Sequence, residues 1–103
     1  MKRIALAFVA ALAACATTDP PQTELSAARE IVAQARAAAG PEAPLELAAA
    51  QGKLARAESA MQRGHYEHAR LLAQQAEADA KLAWSNAERA RATRALNQER
   101  SGT

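Results

Sequence analysis

Residues 66–97, YEHARLLAQQAEADAKLAWSNAERARATRALN, decide the fold. Tyr66, Ala69, Ala73, Ala76, Ala80, Ala83, Ala87 and Ala90 recur there in alternating steps of three and four. That spacing aligns all eight on one face of a helix, in the manner of a heptad seam. At 1.5 Å per residue the helix is expected to be roughly 48 Å long. Alanine has little volume, so a partner helix can approach to near the lower end of the usual spacing of about 8–10 Å.

Two further helices precede it. Leu25, Ala28, Val32, Ala35 and Ala39 form a seam that Gly40-Pro41 ends, with Thr23 the expected N-cap and Glu24 opposing the helix dipole. Leu47, Ala50, Leu54, Ala57 and Met61 form another, opening with Pro44 in its first turn and closing at Gly64. Gly52 lies inside that second helix at a cost of about 1 kcal/mol relative to alanine. The pattern predicts an all-α chain: an antiparallel helical hairpin or a three-helix bundle with a long third helix.

Composition agrees. Of 103 residues 31 are alanine, while aromatics make up only 3%. Neither a phosphate-binding glycine loop nor a spaced set of metal ligands occurs, which argues against an enzyme working alone. The serines at 26, 59, 85 and 101 lack a nucleophile motif. His65 and His68 are three apart with Glu67 between them, but spacing suggests no third ligand, so no metal and no cofactor is expected. Glu77 and Lys81 have the order of a supporting i,i+4 pair.

The N-terminus has a different character. Lys2 and Arg3 precede an apolar run from Ile4 to Ala14, too short for the roughly 20 residues of a membrane-spanning helix. This is the layout of a signal peptide. The run ends in Leu12-Ala13-Ala14-Cys15, which resembles the lipobox of bacterial lipoproteins. The resemblance implies cleavage before Cys15, diacylation of its thiol by chains such as palmitate, and commonly a third chain on the freed amine. In the lipoproteins that this sequence resembles, an aspartate after the cysteine marks inner-membrane retention; with Ala16 in that place, the resemblance implies outer-membrane sorting. Cleavage by ordinary signal peptidase at Ala14-Cys15-Ala16 is the alternative reading. Cys15 is the only cysteine, so no intrachain disulfide can form.

The expected organisation is a signal peptide over 1–14, a lipidated tether over 15–23, a helical domain over 24–98 and a disordered C-terminus over 99–103. Asp19-Pro20-Pro21 suits a tether. From Ala16 to Thr23 it reaches at most about 26–29 Å. The formal net charge of +2 falls to zero once Lys2 and Arg3 are removed, and only Tyr66 and Trp84 remain as aromatics. Nucleic-acid binding is therefore not expected.

Ala60, Gly64-His65-Tyr66, Ala69, Ala73 and Ala76 resemble the turn and second helix of a tetratricopeptide repeat. Lys53, Ala57 and Ala60 stand where large residues of a first repeat helix belong, so a helical hairpin is the expectation. Together with the lipobox, Pro44-Leu45-Glu46-Leu47-Ala48 and the Gly64-x-Tyr66-x-x-Ala69-Arg70 turn resemble small alanine-rich envelope lipoproteins of Gram-negative bacteria, classed as a domain of unknown function. The likeness covers roughly residues 12–85. Some members carry an OmpA-like peptidoglycan-binding domain, for which residues 86–103 leave no room, so peptidoglycan remains a possible partner without a motif. The resemblance implies no catalytic residues.

Near the end of the third helix Arg89, Arg91 and Arg94 gather close to Trp84. The shorter second helix is expected to cover the third only to about residue 85, leaving these residues to contact a partner. From Cys15 onward only thirteen large apolar residues are present, too few for a robust core, so self-association or an envelope protein partner is expected. The expected role is a structural or adaptor lipoprotein held to the outer membrane, on its periplasmic side, by its lipid anchor. A peptide- or glycan-binding module and an accessory subunit of an envelope complex are the alternatives.

Overall fold

A computed structural model of the protein describes residues 19–102. Helix α1 spans Gln22–Ala39, α2 spans Pro44–Gln62 and α3 spans Tyr66–Ser101, with a 3-10 turn at Gly40–Glu42 between the first two. The chain folds as a three-helix bundle. Helix α2 runs antiparallel to both others: Glu46 meets Asn86, Lys53 meets Asp79 and Glu58 meets Arg29. Helix α1 runs parallel to α3, with Glu24 beside Arg70 and Ala38 beside Arg91. Both short helices pack on α3 more extensively than on each other, so α3 is the spine.

Local chemistry explains the element ends. The Gln22 N–H donates to the Pro20 carbonyl at 2.8 Å and the Leu25 N–H to Pro21 at 3.0 Å. The diproline therefore starts α1 through its carbonyls and buries Pro21, and no side chain caps the helix. The expected Thr23 cap is corrected: Thr23 already lies inside the first turn. Pro44 occupies the first turn of α2, where its missing N–H has no helical partner to lose. At the other end of α2, Gly64 adopts φ +79°, its N–H donating to Met61 and the His65 N–H to Ala60. These two bonds form a Schellman closure that reverses the chain into α3. Helix α3 continues to Ser101, past residue 98 where the sequence suggested disorder, because nothing after Tyr66 breaks it before Gly102.

Alanine forms most of the core. Among the described residues seventeen hydrophobic side chains are buried, and thirteen of them are alanine. The α1 seam is buried at all five expected positions. In α3 Ala69, Ala73, Ala76, Ala80, Ala83 and Ala87 are buried, whereas Tyr66 and Ala90 are half-buried at the two limits of the contact. One group of core residues, at the 3-10 turn, joins Val32, Ala39, Ala43 and Leu47 to Ala76–Ala87 positions of α3. The other, at the Gly64 end, joins Leu25, Ala28, Ala57, Ala60 and Leu72. Leu54 packs against both.

Three substitutions test this account by thermal melting followed by circular dichroism. Ala76→Leu overfills the seam and is expected to cost about 1–3 kcal/mol. Gly52→Ala is expected to stabilise by roughly 0.5–1 kcal/mol, because Gly52 is exposed and a methyl group there meets no atom within 4 Å. Gly64→Ala meets open space too, but its φ of +79° imposes a loss of about 1–2 kcal/mol. An unchanged melting temperature for Ala76→Leu would contradict the close seam.

Candidate interaction surface

Cys15 and the lipobox residues Leu12, Ala13 and Ala14 lie outside the described residues. The other residues singled out by sequence divide into structural and exposed ones. Ala69, Ala73, Ala76 and Ala80 are core, and Gly64 forms the turn. Trp84, Arg89, Arg91 and Arg94 lie on the surface of α3.

Two of those arginines already have partners within the chain. Arg91 donates through Nη2 to the carbonyl of Ala38, in the last turn of α1, where the helix dipole concentrates negative charge. Arg94 pairs through Nη2 with Glu42 of the 3-10 turn. The expected free overhang from about residue 85 is corrected: the connection between α1 and α2 reaches along α3 beyond the start of α2, burying Ala87 and holding Arg94. Trp84 is 37% exposed, and its indole Nε1 donates to Glu88 at 2.9 Å. Arg89 is exposed, and from Arg91 to Gly102 every residue is exposed. The outward face of the last three turns therefore presents Leu96, 56% exposed, among polar neighbours.

Cross-helix ion pairs follow the bundle's length. Lys53 and Asp79 meet at 2.7 Å, both partly covered, and Arg29 meets Glu58 at 3.1 Å. Arg70 contacts Glu67 at 2.6 Å, Glu24 at 3.5 Å and the Asp19 carbonyl at 3.4 Å. The last contact holds the start of the described chain against the Gly64 end. Asp79, on α3 between Glu77 and Lys81, takes its cation from α2 rather than from its own helix. Periodicity offered no signal for that pair, since it depends on the register between helices.

Residues 23–98 match a family described as Domain of unknown function (DUF4398). The chain belongs to that family. Its members' shared region thus takes in α1 from its second residue, all of α2 and nearly all of α3. No curated protein and no solved structure matches the chain.

Between α1 and α2 an open trough of about 470 Å³ is lined by Arg29, Val32, Ala33, Arg36, Gln51 and Leu54. It exists because the two short helices rest mainly on α3 and separate from each other above it. Among the described residues no three histidine, cysteine, aspartate or glutamate side chains come together as a metal site would require. No helix there is long and apolar enough to cross a membrane.

The double variant Arg91→Ala/Arg94→Ala tests the clamp between α3 and the connection. Exposed pairs of this kind are worth about 0–1 kcal/mol, so the melting temperature should change little. Hydrogen exchange at the backbone amides of Gly40, Glu42 and Ala43 should accelerate. Unchanged exchange would show that these arginines do not order the connection.

Proposed function

We propose that this protein is an outer-membrane lipoprotein, anchored through Cys15 and facing the periplasm, that acts as a structural or adaptor element through helix-mediated protein interaction. The observation that carries the reading is Leu12-Ala13-Ala14-Cys15 at the end of an apolar run led by Lys2 and Arg3. A thiol bearing two acyl chains, with a third on the amine, holds a small bundle at a bilayer because each buried methylene adds about 0.8 kcal/mol.

The bundle geometry supports a direction for the adaptor. Asp19, four residues after Cys15, sits at the Gly64 end through its contact with Arg70. An anchor at Cys15 therefore holds that end near the membrane and directs the C-terminal turns of α3 away from it. Leu45, Leu71, Leu82 and Leu96 are each at least 50% exposed, a large share of the sparse large apolar residues to leave in water. Covering Leu96 and its neighbours with a partner helix, from another envelope protein or a second copy, is the role that fits α3's far end. We assign no reaction and no cofactor to the chain.

A second reading rests on the trough between α1 and α2, whose apolar floor and two arginines suit an acidic peptide or a glycan strand.

Mass spectrometry of the protein from fractionated envelopes, with a photoreactive residue replacing Leu96, tests the adaptor reading. The expected result is acylated Cys15 in the outer-membrane fraction and one dominant crosslinked protein. An unacylated chain beginning after Ala16, with no crosslink at position 96, would overturn it. In a second variant with the photoreactive residue at position 33, in the trough, crosslinking there and not at position 96 would favour the second reading.

A further inference from the structure

At the Gly64 end, Arg56 on α2 and Arg63 at that helix's C-cap face His65, which precedes α3, and His68 in its first turn. With Ser59 and Ala60 they line a depression of about 250 Å³. No carboxylate contributes to this lining. Glu67, adjacent in sequence, is engaged by Arg70 at 2.6 Å, and Glu58 by Arg29 at 3.1 Å. Arg56, Arg63, His65 and His68 have no side-chain hydrogen bond or ion pair among the described residues. Arg29, Lys53, Arg70, Arg91 and Arg94 are satisfied by partners within the bundle.

Two guanidinium forks, two imidazoles and a hydroxyl supply hydrogen-bond donors from several directions around one small space. Their natural ligand is a compact anion with several acceptor oxygens, and arginine forks match phosphate in particular. The position of the site indicates where that phosphate comes from. Asp19 lies at this same end, and the chain between it and Cys15 spans at most about 14 Å. A bundle anchored at Cys15 thus carries the depression within reach of the headgroup layer, where each arginine near an anionic leaflet is worth roughly a fivefold gain in partition.

We propose that Arg56, Ser59, Arg63, His65 and His68 form a phosphate-binding site that seats an anionic phospholipid headgroup and sets the bundle end-on against the bilayer. The inference rests on the Cys15 anchor for its choice of lipid over dissolved phosphate. The mass of the N-terminal peptide reads the anchor separately from the site.

The site itself is tested by carbethoxylation of histidine with diethyl pyrocarbonate, followed peptide by peptide. The purified full protein is incorporated into nanodiscs of phosphatidylcholine, alone or mixed with phosphatidylglycerol. If the N-terminal peptide proves unacylated, it is added to the same discs from solution. His65 and His68 should react at least about fivefold more slowly with phosphatidylglycerol present. Arg56→Gln/Arg63→Gln should abolish that difference while leaving the helical circular dichroism unchanged. Protection without acylation would keep the site and discard the anchor. Equal reactivity in both discs would overturn the proposal, as would protection that survives in the double variant. Protection by inorganic phosphate with no effect of phosphatidylglycerol would assign the site to a soluble ligand and overturn the headgroup.

Discussion

The close approach of helices across alanine is the constraint on which the rest of this structure depends. Six buried alanines of α3, from Ala69 to Ala87, provide a surface shallow enough for α1 and α2 to rest on together. A seam of leucines would hold the axes farther apart and fill the interior with volume; alanine instead brings backbones together, so dispersion is gained between main chains and methyl groups. Alanine also loses no side-chain rotamer freedom on burial and is the best helix former. The same residue therefore favours the helix and its packing.

That choice has a consequence at the surface. Among the described residues only four large hydrophobic side chains, Leu25, Val32, Leu47 and Leu72, are buried, with Ile31, Leu54 and Met61 packed partly against them. Leu45, Leu71, Leu82, Trp84 and Leu96 remain exposed to differing degrees. Polar contacts take up register: Lys53–Asp79, Arg29–Glu58 and Asn86–Glu46 align α2 with its neighbours, and Arg70 gathers the start of the chain at the Gly64 end. The result is a bundle with two different ends. One carries the reversal into α3 and the approach of the N-terminal segment; the other carries the protruding last turns of α3.

Much of this was legible in the sequence because a seam of small residues at heptad spacing has few alternative readings. The α1 seam from Leu25 to Ala39 and the α3 seam from Ala69 to Ala87 match the buried faces, and Pro44 and Gly64 mark the limits of α2 through plain backbone chemistry. Ala43, Ala60 and Leu72 escaped the periodicity because their burial comes from a third helix lying against two seams at once. The fates of Arg91 and Arg94 escaped it too. A cluster of arginines at a helix end reads as a free surface until the length of the α1–α2 connection is known, and that connection supplies the Ala38 carbonyl and Glu42. Likewise, His65 and His68 alone suggest little; Arg56 and Arg63 join them only through the Schellman turn.

The docking of α1, parallel to α3 and alongside about its N-terminal half, is the central claim, since it sets both which end the N-terminal segment leaves from and which turns of α3 stay bare. Spin labels at exposed Gln22 and Gln98, read by double electron–electron resonance, measure it directly. With Glu24 beside Arg70, the separation along α3 should be a single narrow distribution near about 45 Å. A broad distribution, or one dominated by much shorter distances, would mean that α1 leaves the alanine seam and would contradict the account.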